Sequence, residues 1–250
     1  MKHKIVTIVF ILALILTGIL YYNHANLIII LTIILVIYLA LTALGSYQIK
    51  LNYYITSLNK TNSDSIALTF DDGPDPATTP QILEILKLAN LKATFFVIGK
   101  NAEKNPELIK AISADGHTIG NHSYSHSAGI GLFSRQKLVN DVNQCTDTIE
   151  KVTGVKPVLF RPPFGVTNPR YAYLLQTTGL KSIGWSIRSY DTTIENEKKL
   201  YNRITSQLKA GCIVLLHDTS TTTIRMLPAL INYCNQNNLP VKPINELTEQ

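Results

Sequence analysis

The hydrophobic and polar positions divide the chain into two unlike parts. Residues 5–49 contain no lysine, arginine, aspartate or glutamate, and at about 1.5 Å per residue such a run would form a helix of roughly 68 Å. That length is about twice the ~30 Å hydrocarbon core of a bilayer, so it predicts two membrane spans rather than one. We place the spans at residues 5–22 and 27–47, joined by a polar turn at residues 23–26. Residues 1–49 are therefore interpreted as a transmembrane helical hairpin.

The alternative interpretation of this segment is a cleavable signal peptide followed by a buried hydrophobic helix. No small-x-small cleavage pattern follows the first run, and the second run is itself long enough to span a bilayer. The pattern favours the hairpin. Residues 50–63 are expected to form an interfacial linker, with a looser joint at residues 59–63, before a single domain at residues 64–250.

From residue 64 onwards, short β-rich runs alternate with amphipathic helical patterns. The predicted strands lie at residues 65–70, 92–98, 117–120, 158–160, 181–186 and 212–216, with a last short one near residue 241. The predicted helices cover residues 79–90, 106–114, 134–152, a stretch from residue 169, 197–208 and 223–235. Six or seven βα units in one alternation predict a parallel α/β sheet, closed or nearly closed as a barrel.

Composition and charge narrow the function classes. The 250 residues include 23 basic and 17 acidic side chains, a net charge of +6, of which the first 49 residues contribute only Lys2 and Lys4. The other residues have a mild excess of basic over acidic side chains and no long basic run. This charge pattern predicts no nucleic-acid partner. Cys145, Cys212 and Cys234 are odd in number and widely spaced. They are interpreted as core residues rather than as a disulfide framework or a zinc knuckle.

Candidate catalytic side chains follow five of the predicted strands. In chain order these are Asp71 and Asp72, His122 and His126, Arg161, Trp185 with Asp191, and His217 with Asp218. In a βα barrel, the carboxyl ends of the strands meet on one face, where active sites are built. We therefore expect these residues to lie together, although each motif alone also fits a turn cap, a polar loop or a core histidine.

His122, His126 and one of the two adjacent aspartates would make a three-ligand metal site with positions open for water. That composition is typical of a catalytic rather than a structural zinc site. The second aspartate would remain as a base and His217 as an acid. Arg161 would hold the base in its ionised form.

The order and spacing of five motifs resemble the polysaccharide deacetylase family, carbohydrate esterase family 4. The motifs are TFDDGP at 69–74, HSYSH at 122–126, RPPFG at 161–165, GWSIRSYD at 184–191 and VLLHD at 214–218. The resemblance covers about residues 64–245. It implies a distorted (β/α)7 barrel that holds one divalent metal ion, usually Zn²⁺, and removes N-acetyl groups from amino sugars.

The resemblance also implies a role for each matching residue. Asp71 would be the general base paired with Arg161, and His217 the acid tuned by Asp191. The implied metal ligands are Asp72, His122 and His126, and the implied substrate contacts are the backbone N–H near Phe164 and the side chains of Trp185 and Leu215. The sequence departs from the family at three positions: Phe164 replaces a common tyrosine, Arg188 replaces an acid, and Thr192 replaces a sugar-stacking tryptophan.

The predicted function is hydrolysis of an N-acetyl group on an amino sugar, with metal-activated water attacking the amide. The main prediction for the substrate is a polyprenyl-phosphate-linked sugar, or the envelope glycan made from it. One alternative is deacetylation of peptidoglycan or an exported polysaccharide outside the cytoplasm. A second, of another class, is a carbohydrate-binding pseudoenzyme, and a third is a membrane scaffold; the complete set of base, ligands and acid argues against both.

Lysines on both sides of the hairpin predict its orientation. Lys2 and Lys4 flank the first span, Lys50 and Lys60 follow the second, and the turn between the spans has neither lysine nor arginine. The positive-inside rule therefore predicts a multi-pass protein of a bacterial-type inner membrane with its catalytic domain on the cytoplasmic side. The lipid bilayer and an amino-sugar glycan are the expected partners, and no protein partner is evident from the sequence.

Overall fold

The computed structural model describes residues 2–248, so the outer ends of the predicted segments 1–49 and 64–250 lie outside the described residues. The chain begins with two antiparallel apolar helices, α1 (Lys2–Tyr21) and α2 (Leu27–Tyr47). Phe10 stacks on Tyr38 at 4.1 Å between ring centroids, and the Tyr38 hydroxyl lies 3.2 Å from Thr7 Oγ1. Both helices are long and apolar enough to cross a membrane, and their outer surfaces are exposed. Membrane crossing itself stays a prediction.

Part of the predicted interfacial linker packs against the following domain. Tyr53, Tyr54 and Ile55 are buried. Leu58 extends the sheet: its amide donates to the Ser182 carbonyl at 2.9 Å, and its own carbonyl accepts from Gly184. Apolar side chains and edge hydrogen bonds therefore hold residues 53–58 in place, which leaves no loose joint before residue 59.

The hairpin is joined directly to the catalytic domain near its rim. The Ser46 hydroxyl donates to the Thr167 carbonyl at 2.7 Å, and the Thr167 amide donates to the Ser46 carbonyl at 2.9 Å. Gly45 lies against the Tyr53 ring so closely that a Cβ there would be 2.3 Å from ring carbon atoms. The absence of a side chain at Gly45 thus permits the close approach of α2 to the domain.

Seven short parallel strands form the sheet, in the order β5-β4-β3-β2-β1-β7-β6. They are β1 (Ala67–Asp71), β2 (Thr94–Val97), β3 (Thr118–Asn121), β4 (Leu159–Phe160), β5 (Lys181–Ser182), β6 (Ile187–Arg188) and β7 (Ile213–His217). The sheet curls without hydrogen bonds between β5 and β6, which confirms the prediction of a distorted (β/α)7 barrel. Asp71 pairs in register with His217, so the ends of two central strands lie level with each other.

Helices cover the outside of the sheet. They are α3 (Thr79–Leu88), α4 (Gly99–Lys104), α5 (Pro106–Ala114), α6 (Arg135–Thr153), α7 (Pro169–Thr178), α8 (Glu197–Thr205), α9 (Thr221–Gln236) and α10 (Ile244–Thr248). The Ser134 hydroxyl caps α6 by accepting from the Lys137 amide, and Gly154 ends that helix in a left-handed conformation, as the sequence predicts. The apolar stripes of these helices and the sheet residues bury three clusters, the largest of which includes residues of β1 and β7.

Two predicted strands differ from the observed ones, and two short helices were not predicted. The expected strand at 181–186 is interrupted, and its polypeptide continues as the separate two-residue strand β6, which pairs with β7. The strand expected near Val241 is only a single bridge to Ile66. The helices α4 and α10 are too short for their periodicity to be recognised in the sequence.

His117 makes the stability of the fold depend on pH. Its side chain is buried, and its Nδ1 accepts a hydrogen bond from the Ala93 amide at 3.2 Å, which requires the neutral ring. Burial, followed by the charge of Lys92, lowers the pKa of His117 from 6.5 to about 4. The unfolded chain therefore binds more protons than the folded one between these pH values, so stability is complete above pH 6.5 and is lost as the pH falls towards 4.

We expect His117→Asn to reduce this loss, because an asparagine carbonyl can accept the same hydrogen bond and does not titrate. Between pH 7.5 and pH 5, the melting temperature of the wild type should fall by about 2 to 5 °C more than that of the variant. His24→Asn, in the exposed turn of the hairpin, is the matched control and should behave as the wild type. Equal falls in His117→Asn and wild type would show that His117 does not titrate in this range.

Candidate active site

Asp72, His122 and His126 bring one carboxylate and two imidazoles together at the carboxyl end of the sheet. Asp72 Oδ1 lies 3.4 Å from His122 Nε2 and 3.3 Å from His126 Nε2, and one ligand atom of each residue lies within 4.8 Å of the others. The structure thus places the three predicted ligands in one cluster. Asp72 follows β1, and both histidines belong to the loop after β3.

The loop that carries the histidines is fixed by hydrogen bonds to its backbone. The Asp141 carboxylate on α6 accepts from the amides of Tyr124 at 3.0 Å and Ser125 at 3.3 Å. His122 Nδ1 lies 2.8 Å from the Arg161 carbonyl oxygen. Because a carbonyl can only accept, Nδ1 carries the proton and donates it, and Nε2 keeps its lone pair towards the cluster.

The charges of the cluster favour a bound cation. Burial alone would raise the pKa of Asp72, but the close approach of His122 and the charges of His122, His217 and His126 outweigh it and hold that pKa far below its usual value. Burial, together with His122, lowers the pKa of His126. Burial also works against protonation of His122, yet Asp71 and Asp72 raise its pKa. The ligand atoms together attract positive charge, whether a proton or a metal ion.

A divalent metal ion fits these residues. Asp72 Oδ1 and His126 Nε2 are buried and have no hydrogen-bond partner among the residues that the structure describes. Buried polar atoms of this kind are costly unless something satisfies them. A carboxylate and two histidines, with room for exchangeable ligands, match the protein ligands of catalytic zinc sites. Asp72, His122 and His126 would therefore hold the ion.

Asp71 and Arg161 form a buried ion pair beside the cluster. Arg161 Nη1 donates to Asp71 Oδ1 at 2.7 Å, and both side chains are almost inaccessible to solvent. The other oxygen, Oδ2, faces the ligands and lies 3.8 Å from His122 Nε2. The pairing with arginine therefore leaves one carboxylate oxygen directed towards the cluster, where the sequence predicts a base.

The remaining donors of Arg161 are also satisfied. They contact the Thr69 hydroxyl at 2.8 Å and the carbonyl oxygens of Ile183 and Gly184 at 3.3 and 2.9 Å. The guanidinium carbon lies 4.1 Å from the centroid of the Phe96 ring. A fully buried charge of this kind is tolerated only when it is paired and hydrogen-bonded. Arg161 thereby fixes the direction of Asp71.

His217 lies next to the cluster and is oriented by Asp191. Its Nδ1 is 2.7 Å from Asp191 Oδ1, and its backbone amide donates to Oδ2 at 2.7 Å. Nε2 points to the cluster and lies 3.8 Å from Asp72 Oδ2. Burial lowers the pKa of His217, but Asp191 outweighs burial and raises it to about 9. His217 therefore holds a proton on Nε2 at neutral pH, as an acid requires.

The predicted substrate contacts line the same cleft, which has a volume of about 390 Å³. Leu215 and Trp185 are buried in its wall, while Phe164 is 45% exposed and packs on His126 at 4.6 Å between centroids. The cleft also contains Arg188, which can be recognised in the sequence only as a departure from the family. All ten predicted site residues are therefore in the cleft or directly behind it.

Backbone strain is concentrated around this cleft. Among the described residues, eight other than glycine have a positive φ, and five of them are at the site, whereas the other three are asparagines in ordinary turns. The five are Asp72, Ser123, His126, Phe164 and Tyr190. Left-handed conformations at such residues persist only where the surrounding structure enforces them. Here the left-handed conformations direct side chains from neighbouring positions of the loops towards the same cleft.

Several residues that support the site were not predicted from the sequence. The Asp191 carboxylate accepts from the hydroxyls of Ser189 at 2.9 Å and Thr223 at 2.5 Å. Asp218, which the sequence offered as a candidate together with His217, does not line the cleft: it is buried behind Gly73 and accepts from Thr79 at 2.6 Å, and burial raises its pKa to about 7. Single serines and threonines carry no pattern in a sequence, so only their positions in space could reveal these contacts.

The cleft combines carboxylates at a strand end, a pair of imidazoles and an oriented acid. These are the groups that a metal-dependent hydrolase uses. The comparisons with known proteins agree. Residues 58–183 match the family model described as polysaccharide deacetylase. The chain belongs to the polysaccharide deacetylase family, carbohydrate esterase family 4, whose active enzymes hydrolyse N-acetyl groups with a divalent metal.

Two of the similar proteins come from Bacillus species. A peptidoglycan-N-acetylglucosamine deacetylase of Bacillus cereus is 36% identical over 179 residues, which are 71% of this chain and 83% of the relative. The peptidoglycan-N-acetylmuramic acid deacetylase PdaC of Bacillus subtilis is 34% identical over 188 residues, 75% of this chain but only 39% of that longer protein. The solved structure of PdaC has a TM-score of 0.70 and covers 75% of this chain and 91% of its own.

Proposed function

We propose that this protein removes N-acetyl groups from the amino sugars of peptidoglycan or a closely related envelope glycan. The observation that carries the proposal is the joint presence of a buried base, three metal ligands and an oriented acid in one cleft. The activities of the relatives, which act on N-acetylglucosamine or N-acetylmuramic acid of peptidoglycan, support the substrate class. This substrate is favoured over the lipid-linked sugar, because both of these relatives are named for peptidoglycan.

In the proposed reaction, each side chain has a separate task. Asp71 Oδ2 accepts the proton of the attacking water, while Arg161 donates to Oδ1 and fixes the direction of the carboxylate. His217 Nε2 donates its proton to the amide nitrogen, so that the sugar leaves as an amine and the acetyl group as acetate. A divalent ion held by Asp72, His122 and His126 would supply Lewis acidity, lowering the pKa of water and polarising the amide carbonyl.

The positions of the base and the acid suit this sequence of proton transfers. Asp71 Oδ2 and His217 Nε2 each lie 3.8 Å from an atom of the ligand cluster. An amide held in the cluster is therefore within reach of both groups, as general acid–base catalysis requires. Leu215 and Trp185 would contact the acetyl methyl group and the sugar, and the backbone N–H near Phe164 would contact the developing oxyanion.

Acetate release from purified peptidoglycan glycan strands tests this function, with metal content measured on the same preparation. We expect about one divalent ion per chain and acetate release that a chelator abolishes and Zn²⁺ restores. Metal binding without acetate release from peptidoglycan, chitin oligomers or lipid-linked sugar would contradict the proposal and favour a carbohydrate-binding pseudoenzyme.

The second candidate substrate is the lipid-linked precursor of such a glycan. Two observations favour it: the lysines at both ends of the hairpin, and the attachment of α2 to Thr167, three residues from the cleft residue Phe164. Under this proposal, the catalytic domain lies in the cytoplasm, where polyprenyl-phosphate sugars are made, and not beside assembled peptidoglycan.

Reporter fusions after Gln250 distinguish the two candidates. The positive-inside rule predicts a fluorescent green fluorescent protein fusion and an inactive alkaline phosphatase fusion. That result would make the lipid-linked sugar the accessible substrate. An active phosphatase with a dark fluorophore would overturn the cytoplasmic orientation and leave the assembled glycan. Replacing Lys2 and Lys4 by glutamine serves as the control, because it should weaken any charge-determined orientation.

A further inference from the structure

One wall of the cleft contains a cation that the proposed chemistry does not use. Arg188 ends the short strand β6 and pairs in register with Leu215, so its side chain is carried into the cleft with that residue. Its guanidinium carbon lies 5.7 Å from the centroid of Trp185 and 5.1 Å from that of Tyr190. The two rings fix the direction of the charge without neutralising it.

Within residues 2–248, no carboxylate forms an ion pair with Arg188. Arg161, the other arginine of this region, is by contrast paired with Asp71 and fully buried. A second cation, Arg203, stacks on Tyr190 at 4.5 Å and donates to the Arg188 carbonyl oxygen at 3.2 Å. In the part of the chain that the structure describes, no carboxylate forms an ion pair with Arg188 or Arg203, so direct contact with a protein anion does not neutralise this wall.

We propose that Arg188 determines specificity by binding an anionic group, a carboxylate or a phosphate, on the amino sugar that is deacetylated. A guanidinium presents parallel N–H donors that match both of these oxyanions. Arg188 lines the same 390 Å³ cleft as Asp72 and His126. The anion is therefore on the reacting sugar itself or on its immediate neighbour.

The chemistry of amino sugars offers two sources for that anion, and both are close to the acetamide on C2. The lactyl ether of a muramic acid places a carboxylate on O3, and a glycosyl phosphate places a phosphate on C1. Thr192, which is exposed at the mouth of the cleft next to this wall, is small enough to leave room for either substituent. A neutral N-acetylglucosamine would leave the charge of Arg188 without a partner.

This inference rests on the proposed function, so its test includes binding as well as turnover. The probes are N-acetylmuramic acid, N-acetylglucosamine 1-phosphate and the neutral methyl glycoside of N-acetylglucosamine, applied to the full chain in detergent with Zn²⁺. The variants are Arg188→Gln, Arg188→Lys and the control Arg135→Gln. Arg135 is an exposed arginine that stacks on Tyr173 at 5.4 Å outside the cleft.

We expect the wild type to bind at least one acidic sugar more tightly than the neutral sugar. Arg188→Gln should lower the ratio of acidic to neutral affinity, and of the corresponding kcat/KM values, by about tenfold to a hundredfold. The loss should appear in KM rather than kcat, and Arg188→Lys should recover part of it, whereas Arg135→Gln should keep the wild-type ratio. The preferred probe, muramic acid or glycosyl phosphate, identifies the source of the anion.

Equal binding of acidic and neutral sugars by the wild type would overturn the inference. So would an equal loss for both sugars in Arg188→Gln, because that result indicates a structural role. If the wild type releases acetate only from the neutral sugar, the proposed function stands and the role of Arg188 fails. If it binds acidic sugars through Arg188 without releasing acetate, the inference stands and the proposed function fails.

Discussion

Asp71→Asn is expected to retain the metal and to lose acetate release by a factor of roughly 10² to 10⁴. Asparagine keeps the size of the side chain, and its carbonyl oxygen can still accept from Arg161 Nη1, which now lies 2.7 Å from Asp71 Oδ1. It cannot accept a proton at Oδ2. Since Asp71 is outside the ligand set, the metal should stay at about one ion per chain.

The variant also leaves the buried Arg161 charge without a counter-charge, which can cost about 3–5 kcal/mol of stability. Acetate release is therefore normalised to the folded, metal-loaded fraction, measured by thermal unfolding and metal analysis. Asp147→Asn, an exposed position on α6, is the matched control. Full activity of folded, metal-loaded Asp71→Asn would show that another group accepts the proton.

Replacing any one of the three ligands should remove both the metal and the activity. Asp72→Ala, His122→Ala and His126→Ala each leave two protein ligands, which is fewer than catalytic zinc sites use. The cluster lies at the rim of the sheet and not in the apolar core, so each variant should still fold. Metal analysis after gel filtration, with circular dichroism on the same samples, measures both expectations.

His217→Ala is the informative comparison for these variants. It should keep the metal and lose activity by at least roughly 10², because its Nδ1 is committed to Asp191 and the residue is outside the ligand set. His24→Ala removes a histidine in the exposed turn of the hairpin and should change neither property. Unchanged metal content in all three ligand variants would refute the assignment of Asp72, His122 and His126.

Most residues of the site could be predicted because they follow the carboxyl ends of the strands. Alternation of β-rich and helical runs predicted the parallel barrel, and a parallel sheet necessarily brings strand ends to one face. The register confirms this for two central strands, since Asp71 of β1 pairs with His217 of β7. Residues that immediately follow a buried strand could thus be grouped before any distance was known.

Features held by single long-range contacts could not be predicted in this way. The strand β6 contains two residues, too few for a periodic pattern, and exists because β7 offers a free edge. Residues 53–58 belong to the predicted interfacial linker, and they pack on the domain because Leu58 finds hydrogen-bonding partners near β5. Arg188 could be recognised as a departure from the family, but its unpaired charge depends on neighbours from separate elements.

The paired hydrogen bonds between Ser46 and Thr167 fix the hairpin to the catalytic domain, so the two parts are not connected by a flexible linker alone. A domain on a flexible linker searches a volume that grows with the length of the linker. With residues 53–58 packed in place, this domain has no such freedom. If the hairpin crosses a bilayer, the mouth of the cleft stays at one fixed height above the lipid surface. The rate of the reaction would then depend on how fast the glycan is delivered to that height.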